Sequence, residues 1–183
     1  MRDDDTPKRV LLRNPWPSYT RTRGDWALEW LVKQGVDHRA VVLAACECAR
    51  LALVHVPDGE ERPRKAIEAA EAWARGEATL DEVDSTLDAF SAPVRDDFSP
   101  RGWAAYAAQL AAMSAAQLAC EEYIREASRE AKRVAMYVAN ADRARIHGGV
   151  GIHDCWPGRK ATLTRCADVV RGRFIDPSEV DHG

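Results

Sequence analysis

The side chains best suited to chemistry in this sequence gather towards its C-terminal end. His147, His153, Cys155 and Cys166 spell H-x5-H-x-C-x10-C, two imidazoles and two thiols of the kind zinc takes. A metal held by these four would pin the intervening glycines to the last helix. The spacing follows no common zinc template, however, and Cys166 also fits an apolar helical stripe. The simpler reading is four unligated side chains, and no metal or other cofactor is expected. Gly148-Gly149-Val150-Gly151, with Arg145, Arg159 and Lys160 nearby, could cradle an anion through backbone N–H groups. No strand precedes these glycines, so neither a P-loop nor a dinucleotide fingerprint is spelled. A helix stop followed by a connecting loop accounts for them.

Nucleophile–base pairs are wanting elsewhere. Cys46 and Cys48 share a stretch with His38 and Glu47, yet an activated thiol needs an electropositive, accessible setting and this stretch is apolar. Ser114 and Ser128 have no histidine three or four residues away. The carboxylate pairs Glu121-Glu122 and Asp96-Asp97 are adjacent, so on a helix they point apart. The chain reads as a non-enzyme.

Charged residues form two further groups. Arg39, Glu47 and Arg50 interrupt the otherwise apolar run Arg39 to Val56. At roughly 100° per residue they occupy one sector of a helix whose other faces are Val, Leu, Ala and Cys. A buried charge persists only when paired, and Glu47 and Arg50 at i,i+3 are placed to pair. Arg62 and Arg64, in the turn that follows, are expected to fold back on Glu47 and on the acidic side of the next helix, completing a structural polar seam. The second group is Glu60, Glu61, Glu68, Glu71, Asp81, Glu82, Asp84 and Asp88. These acids are either a docking face for a basic partner or a solvated surface.

The elements that position these groups are all helical. Trp26 and Trp30 at i,i+4, with Asp25 as N-cap and Gly35 as C′ residue, predict a short first helix. Asp37 caps the central apolar helix, which runs to Val56 before Pro57-Asp58-Gly59 turns the chain. Pro63 opens a third helix with the stripe Ala66, Ile67, Ala70, Trp73, Ala74 and an exposed Glu71–Arg75 pair, and Gly76 ends it. Thr79 and Glu82 spell a capping box ahead of Leu80, Val83, Leu87 and Phe90, a short fourth helix closed by Pro93. From Pro100, two series recur every seven residues: Trp103, Leu110, Gln117, Ile124, Ala131, Val138, and Tyr106, Met113, Cys120, Ala127, Val134, Ala141. Six heptads in register predict one long Ala-rich helix, with a bend or a break near Ser128, where charged residues cluster, left open. Its Trp103–Met113 stripe is expected to contact the central helix. Leu163, Cys166, Ala167, Val170 and Phe174 make a last helical stripe.

At 183 residues and 46% hydrophobic, the chain is one domain's worth. The reading is an all-α, single-domain helical bundle around a buried central helix: an irregular basic arm over residues 1–24, a helical domain over 25–175, and a polar tail over 176–183. Five cysteines, an odd number, suit a reducing cytoplasm without disulfides. The acidic start and the interrupted apolar runs predict neither a signal peptide nor a membrane span. Met1 to Gly24 carries six basic residues against three acidic, Asp58 to Asp97 five against twelve, and Asp142 to Phe174 seven against three. An acidic middle between basic ends suits a protein with a basic surface better than nucleic acid.

The run CARLALVHVPDGEERPRKAIEAAEAWARGEATLDEV resembles a family of bacterial immunity proteins encoded near polymorphic toxins. Cys48-Ala49-Arg50, the Arg62-Pro63-Arg64-Lys65-Ala66-Ile67-Glu68 turn, Trp73, Gly76 and the Ala-rich helix from Pro100 carry the resemblance, which covers roughly Trp26 to Asn140. The resemblance implies an all-α protein that binds and neutralises a cognate toxin by protein contact, without chemistry of its own. The rival is a small-ligand-, anion- or metal-binding protein, or an enzyme, using the His147–Lys160 glycine loop.

Overall fold

The computed structural model describes residues 17–89, 100–120, 124–147 and 157–174, and within these the chain is all-α. Seven α-helices are described: α1 (Gly24–Lys33), α2 (His38–Arg50), α3 (Arg62–Arg75), α4 (Leu80–Asp88), α5 (Pro100–Cys120), α6 (Ile124–His147) and α7 (Pro157–Phe174). Short 3-10 turns occupy Ser18–Thr22 and Leu53–His55. The first lies within the stretch expected to be an irregular arm. It packs against α1 and α7, with Thr20 fully buried and donating to the Pro17 carbonyl. Among the described residues no helix is long and apolar enough to cross a membrane.

Local signals set the helix ends. Asp37 accepts from the Ala40 N–H and caps α2, while Thr79 and Glu82 form the reciprocal capping box of α4. Gly76 takes the left-handed conformation (φ 79°) that stops α3. Asp25 departs from its expected role. It lies inside the first turn of α1, buried, with its carboxylate gripped by the Arg23 fork at 2.9 and 2.7 Å. The residue before it explains the shift. A Cβ on Gly24 would stand 2.3 Å from Cys166 Cβ and 2.9 Å from the backbone of α7, so the start of α1 meets α7 at a distance only glycine allows.

α2 is the hub of the core. It packs against α1, α3, α5, α6 and α7, burying Val41, Val42, Ala44, Ala45, Cys46, Cys48 and Ala49. The helix ends at Arg50, and the Leu53–His55 turn takes the chain on to Val56, short of the continuous helix expected. The Cys48 thiol donates to the Cys166 carbonyl at 3.6 Å, joining α2 to α7. All five residues of the final stripe, Leu163 to Phe174, are buried.

The single long helix is in fact two. α5 and α6 pack on each other more extensively than any other pair among the described residues, which one continuous helix could not do. The heptad series holds in α6, where Ala127, Ala131, Val134, Val138 and Ala141 are buried. In α5 its members Leu110, Met113, Gln117 and Cys120 are only half-buried. The buried residues described there are Gln109, Ala111, Ala112, Ser114, Ala115, Ala116, Leu118 and Ala119. Alanine explains the slip: a helix with so many small side chains can be approached closely on several faces, so its sequence does not dictate which face turns inward. α5 does pack against α2, as expected, but Tyr106, Leu110 and Met113 are not its buried face, and the Trp103 side chain lies outside the described residues. Ser128 sits within α6 rather than at a break.

Candidate partner-binding site

The polar seam of α2 divides between two neighbouring helices, α3 and α7. Arg50 places its guanidinium fork on Glu71 of α3, with both bonds at 2.8 Å. Glu47 is instead bonded by Arg173 of α7, and Arg39 lies over the Trp73 ring 5.1 Å from its centroid, with His38 edge-on to the same ring. The expected Glu47–Arg50 pair is therefore replaced by two pairs across helix interfaces, where a bidentate fork has better geometry than an i,i+3 contact. Nor do the turn arginines reach Glu47. Arg62 chelates Glu60 and donates to the Ala89 carbonyl at the end of α4, while Arg64 lies 3.6 Å from Glu61. The seam is also wetter than a core: the Glu47 side chain is 42% exposed. Burial raises its pKa above the ordinary carboxylate value, with the charge of Glu71 adding to the rise and Arg173 opposing it.

α3 and α4 present the acids. α3 buries Pro63, Ala66, Ile67, Ala70 and Ala74, leaving Arg64, Lys65 and Glu68 on its outer side. α4 buries Val83 alone and exposes Asp81, Glu82, Asp84, Ser85 and Asp88. Of the eight carboxylates expected on a docking face, three are held locally. Glu60 is held below its ordinary pKa chiefly by the side-chain bonds from Arg62, and Glu71 faces Arg50. Glu82 is occupied by the Thr79 cap, whose backbone N–H lowers its pKa most. Glu61, Glu68, Asp81, Asp84 and Asp88 are exposed. Among the described residues Glu68, Asp81 and Asp84 make no ion pair, and such charges set the long-range field of a face.

The C-terminal candidates fare differently. His153, Cys155 and the four glycine-run residues lie outside the described residues, as do the side chains of Arg145, His147 and Arg159; Lys160 is exposed on α7. Cys166 is committed to the core against Gly24. Among the described residues no three His, Cys, Asp or Glu side chains converge as metal ligands would. Burial pushes the Cys46 thiol far above its ordinary pKa, and at Cys48 the thiol's bond to Cys166 and burial act in the same direction. Neither can supply a thiolate near neutral pH.

One cluster was not foreseen. His55 Nε2 meets Asp142 Oδ1 at 2.7 Å, and Thr162 Oγ1 donates to Asp142 Oδ2 at 2.6 Å, so a single carboxylate ties the turn after α2 to α6 and α7. The His55 side chain is 2% exposed. Such a dyad orients an imidazole, but here the imidazole is buried and the shared carboxylate, only partly exposed, makes the cluster a clasp between elements. The only sequence signal was a lone aspartate beside Ala141 in an apolar heptad.

The described residues form an all-α bundle in which Asp81, Glu82, Asp84 and Asp88 lie exposed on α4, with Glu61 and Glu68 exposed at the head and on the outer side of α3. No family model, curated protein or solved structure matches the chain.

Proposed function

We propose that this chain is an immunity protein of the cytosol, which binds a bacterial toxin and neutralises it by protein–protein contact through the acidic outer side of α3 and α4. The observation that carries the reading is the set Glu68, Asp81 and Asp84, exposed and without an ion pair among the described residues, in a segment where Asp58 to Ala89 holds ten acidic residues against four basic. Carboxylates left uncompensated on neighbouring helices repel one another, and a basic partner relieves that repulsion on docking. The resemblance through Arg62–Glu68, Trp73 and Gly76 supports the same reading, since those residues build α3.

Co-expression with the toxin encoded beside this chain tests it. The wild-type chain is expected to restore growth. The triple variant Glu68→Gln/Asp81→Asn/Asp84→Asn is expected to slow association and flatten its salt dependence while leaving the thermal melt unchanged, because exposed charges act mainly on encounter. Glu71 is kept intact, since it holds Arg50. Failure of the wild type to protect would refute the assignment. Equal association rates for wild type and triple variant would move the interface to another face.

A further inference from the structure

The acidic face has an apolar companion. Among the described residues Val54, 75% exposed, and Leu80, 40% exposed, are the large hydrophobic side chains left in solvent, and both adjoin the acidic segment. Val54 stands on the Leu53–His55 turn and walls a groove of about 240 Å3 closed by Val56, Asp58, Glu61 and Arg64. That volume lies below the roughly 300 Å3 at which small-molecule pockets begin, and fits one long side chain better than a metabolite. Glu61, which lines the groove, is the residue that leads into α3, so the groove adjoins the segment that carries the acidic face. Arg62, next to Glu61, donates to the Ala89 carbonyl and ties the C-terminal end of α4 to the head of α3.

On the rim, Asp58 is exposed and makes no ion pair among the described residues, and Glu61 and Arg64 hold each other loosely at 3.6 Å with both side chains 55% exposed. A largely polar groove with carboxylates on its rim and the exposed Val54 at its edge suits a side chain with a hydrocarbon stem and a cationic end. We propose that this groove anchors the partner, taking an arginine or lysine side chain from its basic surface: the stem packs on Val54, and the cation meets Asp58 and displaces Arg64 from Glu61. This deepens, and rests on, the toxin-binding reading. It separates an anchor that fixes the complex from the surrounding charges that speed its formation.

The test is a binding measurement on the neighbouring-gene toxin in a catalytically inactive form. Val54→Ser is expected to weaken the complex about tenfold through faster dissociation, as loss of one apolar contact would. Asp58→Lys/Glu61→Lys should weaken it by roughly tenfold or more. Glu68→Gln/Asp81→Asn/Asp84→Asn should instead lower the association rate with dissociation unchanged. Val54→Thr, which keeps the valine shape, accompanies Val54→Ser, and thermal melts of each variant establish that it is folded. If the wild type binds and both groove variants keep its affinity within about twofold, the anchor is refuted while the acidic-face reading stands. A wild-type chain that does not bind refutes both. A change in the sedimentation of the isolated chain on Val54→Ser would identify the occupant as a second copy and overturn the proposal.

Discussion

Replacing Asp142 by alanine removes the acceptor for two buried donors at once. The carboxylate receives His55 at 2.7 Å and Thr162 at 2.6 Å, and both donor side chains are nearly closed to solvent. A hydrogen bond to a charged group contributes roughly 1.5–3 kcal/mol, and a donor stranded in the interior adds its own desolvation cost. Asp142 itself is partly exposed, so water entering the gap recovers some of that loss, and a destabilisation of about 2–4 kcal/mol is expected. In a domain of this size each kcal/mol moves Tm by about 2–4 °C, so the variant should melt roughly 5–15 °C lower. Acid titration gives an independent check. Burial alone would raise the pKa of Asp142, but the bonds from His55 and Thr162, helped by the charges of His55 and Arg165, outweigh it and hold the carboxyl below its ordinary value of 3.8. A group depressed in the folded state contributes stability above its unfolded pKa and loses it as pH falls through the folded one. The wild-type advantage over Asp142→Ala should therefore be full above about pH 4 and shrink below it. Urea unfolding followed by circular dichroism from pH 7 to pH 2 reads both effects. A difference under about 0.5 kcal/mol at neutral pH, the size of an ordinary surface substitution, or one that does not change between pH 4 and pH 2, would show that the three helices are not held through this carboxylate.

Two further substitutions probe the packing. Gly24→Ala should destabilise by about 1–3 kcal/mol or more, because the new methyl meets Cys166 and the α7 backbone, which cannot rotate away; an unchanged urea midpoint would mean that α1 and α7 slide freely. Glu47→Ala should cost only about 0.5–1 kcal/mol, since its pair with Arg173 is nearly half in water and solvent screens it; a loss above about 3 kcal/mol, the size for breaking a buried pair, would restore the reading of α2 as a helix with a dry polar seam.

What the sequence made legible follows from range. Caps and stops such as Asp37, Thr79 with Glu82, Gly35 and Gly76 act within four residues, and each stands where the spelling put it. Apolar periodicity located α1 to α4 and α7, whose stripe matched residue by residue, but it read α5 and α6 as one helix. The division between α5 and α6 left no comparable mark, because no glycine or proline occurs between Gly102 and Gly148 and the heptads run through it. Ion pairs were the other blind spot. Glu47 finds Arg173, 126 residues away, and His55 finds Asp142, 87 residues away. A helical wheel shows which sector a charge occupies but not which helix arrives there. For the same reason the acidic character of Glu60 to Asp88 was plain, whereas the loss of Glu60 and Glu71 to local arginines emerged only from the assembled bundle.

The close seat of α1 and α2 on α7 has a consequence for synthesis. Cys48 and the residue it bonds, Cys166, are 118 positions apart. At the usual 5–20 residues per second, a ribosome needs roughly 6–24 s to pass from one to the other. During that interval the surfaces of Leu28, Leu31 and Val42 form without the helix that later covers the same core. The nascent chain therefore exposes apolar surface for seconds, long enough for chaperones to engage it, and α7, which emerges after the other described helices, closes over the core they share.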